Sequence, residues 1–232
     1  MADALHFRCS TNIRAEKLSC LVDLITQSSL ASLSPTEVMG DNVCRLPVVV
    51  IVNTRDSLDA CTSAITNALP NALVAQLHAD LSMEDRHLIL EGYRFAKNFN
   101  LPDAETLEIV GSKKDNDGSD GAGLVVLLVT DACLPFVANG EAPLGAALVI
   151  QMDVPMLNLS NSSSDARATY SCRARAAIGD GHKPRPFVSI VASNEVESFD
   201  VVTKGIKVEE MPFDFQTIVV GGWWSHKSKV GT

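Results

Sequence analysis

The chain has 232 residues, 46% apolar and 20% charged, with a formal charge of −9 and a pI near 5.0. That is enough apolar material for one sizeable core and too much for a disordered chain, and the charge has the wrong sign for holding nucleic acid by bulk electrostatics. The longest apolar runs, 46–52 and 124–129, fall far short of the roughly 20 residues a membrane-spanning helix needs, so no membrane contact is expected.

Taken in chain order, Pro47–Val52 is a β-branched, unalternating run, the pattern of a strand buried on both faces of a parallel sheet. Arg55 to Leu69 follows with a helical stripe of Leu58, Cys61, Ile65 and Ala68, closed by Pro70. Ala72–Leu77 reads as a second strand, and Ser82 to Asp85 as a capping box opening a helix with the stripe Ile89, Gly92, Tyr93 and Ala96. Runs 124–131, 146–153 and 186–192 repeat the buried-strand pattern. Five such strands separated by helices or loops predict one doubly wound, mainly parallel α/β sheet, with ligands at the carboxyl ends of the strands. Segments 32–46, 98–123 and 156–169 are polar, often rich in Gly or Ser and without clear period, and are expected to be surface loops. Residues 1–218 are expected to form a single domain, and 219–232 a tail.

The six cysteines are scattered and include no C-x-x-C pair, so they read as reduced thiols. The histidines share no metal-ligand spacing, and no metal or other cofactor is expected. The N-terminus has no basic region followed by an apolar one, which places the expected compartment in the cytoplasm or nucleus.

Four fragments in order, Val50-Ile-Val-Asn-Thr-Arg55, Leu77-His-Ala-Asp-Leu-Ser-Met-Glu-Asp-Arg86 leading to Tyr93-Arg94, Leu128-Val-Thr-Asp131 and Leu148-Val-Ile-Gln-Met-Asp-Val-Pro155, resemble the second, C-terminal RecA-like domain of DEAD-box RNA helicases. The ends fit too. Lys17 to Leu24 resembles the helix that opens this domain, and Glu209 to Phe215 its closing segment in the initiation-factor type. The first RecA-like domain of that family, with its phosphate loop and metal carboxylates, has no counterpart in this sequence.

The resemblance implies RNA-backbone contacts at Asn53, Thr54, Arg55, Arg86 and Thr130, with Met83 standing where the family has Gln. It also implies remnants of a nucleotide site at Asp131, Arg173 and Arg175. The family's His-Arg-x-Gly-Arg-x-Gly-Arg reads here as Cys172 to Gly179, so the two arginine-finger positions hold Ala176 and Gly179. Removing such a finger costs on the order of 10³ in rate or more. In the strand-end motif after Asp131, the family's Arg, Gly and Asp become Pro135, Phe136 and Ala138. ATP binding and catalysis are therefore not expected, and residual RNA contact is expected to be weak.

The same Asn, Thr and Arg residues also suit helix caps and turns, and the basic stretch 167–185, with five Lys or Arg against Asp180, also suits a solvated loop. The expected function is a non-catalytic, helicase-derived module that binds protein partners in RNA processing or a ribonucleoprotein, with Phe136, Trp223 and Trp224 as candidate anchors. The alternatives are a reduced helicase half that completes an ATP site in trans and a simple RNA-binding module.

Overall fold

The computed structural model describes residues 4–32, 47–98, 124–155, 163–179 and 185–211. In chain order the elements are β1 (Ala4–Thr11), α1 (Glu16–Ser32), β2 (Pro47–Val52), α2 (Arg55–Ala68), β3 (Leu73–Leu77), α3 (Met83–Asn98), β4 (Val125–Thr130), β5 (Leu148–Gln151), α4 (Ser163–Ile178), β6 (Arg185–Ala192), α5 (Val196–Val202) and β7 (Val208–Glu210). The strands form one seven-stranded sheet in the order β3-β4-β2-β5-β6-β1-β7, and every pairing is parallel.

Burial explains why β2, β4 and β5 read as unbroken apolar runs. All of their residues are buried, because alternate side chains enter opposite cores. Val49, Ile51, Leu127 and Val149 pack with Tyr93 of α3, Tyr170 of α4 and Phe199 of α5. Val48, Val50, Val52, Leu128 and Ile150 pack with Leu21 and Ile25 of α1 and with Leu58, Cys61 and Ile65 of α2. A central strand with a helix layer on each side can expose neither face, so its sequence has no polar period.

Local chemistry sets the helix starts. Thr54 caps α2, its side chain accepting from the Ser57 N–H at 3.1 Å. Ser82 caps α3 in the same way, its Oγ accepting from the Asp85 N–H at 3.0 Å.

Three expectations need correction. Residues 163–169, expected within a loop, form the first half of α4. The inward stripe there is Ala166, Tyr170, Ala174 and Ala177, mostly small residues, so its period is faint against the surrounding polar side chains. The basic stretch is not a solvated loop where it is described: residues 167–178 belong to α4, and 185 opens β6. The sheet also gains β1 and β7 beside β6. Ser32 and Asn98, expected in loops, end α1 and α3; residues 33–46, 99–123 and 156–162 and the whole 219–232 tail, with Trp223 and Trp224, lie outside the described residues.

Candidate functional site at the carboxyl ends of the strands

The parallel order brings the ends of β2, β4 and β5 side by side, and α4 supplies the residue that joins them. Arg173 is 1% exposed. Its Nε donates to Asp131 Oδ1 at 2.7 Å and Nη2 to Asp131 Oδ2 at 2.5 Å. Nη1 donates to Gln151 Oε1 at 2.9 Å and to the Asp153 carbonyl at 2.6 Å, and Nη2 also reaches Asn53 Oδ1. Asn53 is held in turn, its N–H donating to Asp153 Oδ2 and its side-chain amide to the Val154 carbonyl, each at 2.9 Å.

A buried guanidinium is tolerated only when it is paired and its donors are met. Here one planar fork ties together three strand ends. A donor set engaged this fully has nothing to offer a phosphate unless these bonds are exchanged.

Asn53, Asp131 and Arg173 are thus brought together from distant points of the sequence. Arg175, two residues further along α4, is exposed away from the cluster. Thr54 is occupied as a helix cap. Arg55 donates from Nε to both Asp59 oxygens at 3.0 and 3.1 Å, touches His78 Nε2, and lies 3.9 Å from Asp80. Burial, then the charge of Arg55, holds the His78 imidazole below its ordinary pKa. Arg86 donates to the Leu81 carbonyl at 3.0 Å and to the Ala79 carbonyl. The cations expected at an RNA backbone therefore serve local turns. Thr130 is 9% exposed, and its Oγ1 lacks a hydrogen-bond partner among the described residues.

The two positions expected to match the family's arginine fingers are closed to a long side chain. Ala176 is 3% exposed, and its carbonyl accepts from the Leu144 N–H at 2.9 Å. Gly179 ends α4 with φ +82, and a Cβ there would stand 2.5 Å from Pro143 Cγ. Its N–H closes the helix on the Arg175 carbonyl. Neither position can present a long side chain to solvent without moving the 143–146 segment.

Phe136 is 53% exposed, one of few large apolar side chains left in solvent among the described residues. Its loop is fixed, with the Phe136 N–H donating to Glu141 Oε2 at 2.9 Å and the Asn139 N–H returning to the Phe136 carbonyl at 2.8 Å. Met83, 76% exposed, opens α3 beyond the end of the neighbouring strand β3. Among the described residues no three His, Cys, Asp or Glu side chains could together hold a metal ion, and no helix is long and apolar enough to cross a membrane.

No family model and no curated protein matches the sequence. Solved structures do match. The C-terminal domain of the DEAD-box protein Dbp5 superposes with TM-score 0.57 at 17% identity, covering 94% of this chain and 97% of that domain. The fold is that of a DEAD-box helicase C-terminal RecA-like domain. E. coli SrmB, solved with the regulator RraA, gives TM-score 0.55 at 14% identity over 93% of this chain and 95% of that one. S. cerevisiae Dbp5 bound to RNA and ADP BeF3 gives 0.61 at 15% identity over 94% of this chain, which spans only 45% of that longer protein. At these identities the likeness is one of fold, and the helicase-like frame is what these proteins share with this chain.

Sequence reading missed Gln151 and Asp153 as parts of the cluster. Gln151 had a signal: a polar residue closing an apolar run, 1% exposed, demands a buried partner and finds one in Arg173.

Proposed function

We propose that the chain is a non-catalytic helicase-like module that binds a protein partner through the carboxyl ends of its strands, in RNA processing or a ribonucleoprotein. The observation that carries this reading is the state of α4. The helix that would bring arginines to a nucleotide carries Ala176 buried at one finger position and Gly179 pressed on Pro143 at the other. Its fully buried arginine, Arg173, is spent on Asp131, Asn53, Gln151 and Asp153. The strand ends are thereby tied to one another, with Phe136 exposed in the segment that follows β4, and an exposed aromatic suits a protein interface better than a phosphate. Proteins of the same fold have been solved with protein partners, SrmB with RraA and Dbp5 with Gle1, which is compatible with this reading.

One observation favours the rival, a reduced helicase half that binds RNA or completes an ATP site in trans. The buried Thr130 hydroxyl lacks a partner, as a group awaiting a ligand would. The two readings separate in one assay: phosphate release by the chain mixed with a separately purified first RecA-like domain of a DEAD-box helicase, with and without single-stranded RNA. The proposal expects no release above that of the first domain alone. RNA-stimulated release that is lost in Asp131→Asn would replace it with the rival.

A further inference from the structure

Cys9 of β1 and Cys20 of α1 face each other between the sheet and the helix packed on it, with their sulfurs 3.0 Å apart. Both are partly exposed, unlike Cys61, which is buried in the core beneath α2. They open into a groove of about 440 Å³, lined also by Asn12, Glu16, Asp23 and Met211. Wide spacing in the sequence concealed the pair, and the β1–α1 turn creates it. Backbone anchors hold the two elements: β1 is paired to β6 along its length, and the turn is fixed by the Asn12 N–H donating to Glu16 Oε2 at 2.9 Å. The sulfurs therefore meet in the folded state as a preformed dithiol, where an isolated surface thiol such as Cys172 has only solvent and reagent to react with.

We propose that Cys9 and Cys20 form a reversible dithiol–disulfide site that reacts with small aliphatic disulfides entering this groove. In the first step one of the two thiols, as its thiolate, attacks one sulfur of the reagent, forming a mixed disulfide and expelling one reagent thiolate, which takes up the proton that the attacking thiol lost. In the second, the other cysteine, deprotonated by solvent, attacks the protein sulfur of the mixed disulfide and expels the second reagent thiolate, which takes up that proton. The dithiol is oxidised by two electrons, and the reagent disulfide is reduced to two thiols. The Cys20 hydrogen bond holds the Cys9 thiol below its ordinary pKa, while the same contact and burial push Cys20 up. Both sulfurs line the groove and lie 3.0 Å apart, so either can enter first and the other resolves the mixed disulfide. Glu16 and Asp23 make the groove acidic, so neutral reagents enter more readily than anionic ones. The product would staple β1 to α1 beside Met211, where the chain leaves β7.

The test uses the full chain and 2-hydroxyethyl disulfide, a neutral reagent, with alkylation of the remaining thiols at intervals and peptide mapping. Trypsin cleaves after Arg14, Lys17 and Arg45 and leaves Cys20 and Cys44 on one peptide, so a second cut after Glu37 by Glu-C separates them and the product is read as a cross-link between the peptides carrying Cys9 and Cys20. The expected result is loss of both thiols together as that cross-link, ahead of adduct formation at Cys172, with full reversal by dithiothreitol. Cys20→Ser should instead trap a stable adduct at Cys9, and Cys9→Ser a stable adduct at Cys20. Separate adducts on Cys9 and Cys20 with no cross-link in the unmodified chain, or reaction of Cys172 before the pair, would overturn the proposal. Both of those readings come from the native sequence and do not depend on either variant folding.

Discussion

Arg173 carries more of this site than any other side chain, and its role follows from burial. With one neighbour removed the others are left charged or polar without a partner, which is where large mutational costs arise. Arg173→Met should therefore destabilise the chain by roughly 3–5 kcal/mol in urea unfolding, because Asp131, Asn53 and Gln151 lose their shared donor. A cost under about 1 kcal/mol, the level of an exposed pair, would show that the network adds little. His6 offers a second, pH-linked prediction. Its Nδ1 lies 3.0 Å from the Tyr170 hydroxyl and its ring packs on Phe187, and burial lowers its pKa from 6.5 to about 4. The unfolded chain thus takes up this proton first as pH falls. The stabilisation is whole above pH 6.5 and is lost progressively between 6.5 and 4, by on the order of 3 kcal/mol at most. His6→Phe should flatten the fall of the urea midpoint over that window, and an unchanged pH slope would contradict the assignment. Of the residue-scale features, Asn53, Asp131 and Arg173 were legible as candidate positions because each lies in a strand-end or helix fragment that resembles a family motif. That they bind one another was not legible, since pairing across 120 residues depends on the fold.

At the scale of elements, what was legible followed burial on two faces. β2, β3, β4, β5 and β6 could be read because five runs of apolar, largely β-branched residues admit few other placements. β1 went unread although Leu5, Phe7 and Cys9 alternate with His6, Arg8 and Ser10, because a short, partly buried alternating strand gives a weaker signal than a buried apolar run. The first half of α4 was lost for a different reason: small inward residues and a serine-rich start resemble loop composition. Helix α4 also makes the sharpest test of the catalytic argument. Placing arginine at the two expected finger positions should damage the helix. Gly179→Ala alone should cost about 1–3 kcal/mol from the left-handed backbone, with the Pro143 contact adding to it. Ala176→Arg should cost more, by forcing a charge into a buried site. Thermal and urea unfolding check both, and a stable Ala176→Arg/Gly179→Arg chain would show that the helix end can yield.

Across the whole molecule, the net charge and the local pairing of Arg55 and Arg86 point the same way. With a formal charge of −9 and these two guanidinium groups engaged by Asp59 and by backbone carbonyls, few phosphates can be neutralised. Single-stranded RNA should bind weakly, and affinity should fall steeply between low and physiological salt. Submicromolar, salt-insensitive binding in a fluorescence-anisotropy titration would show that the strand ends still form an RNA surface. The most direct measurement of the central claim compares capture of the native partner from the source organism by three chains: unmodified, Phe136→Gly and Asn67→Arg. Asn67 is exposed near the far end of α2, at the amino-terminal side of the strands, so it controls for surface change away from the proposed interface. The account predicts that Phe136→Gly keeps its melting temperature and loses most of the captured partner, while Asn67→Arg captures as much as the unmodified chain. Retention by Phe136→Gly together with loss in Asn67→Arg would contradict it.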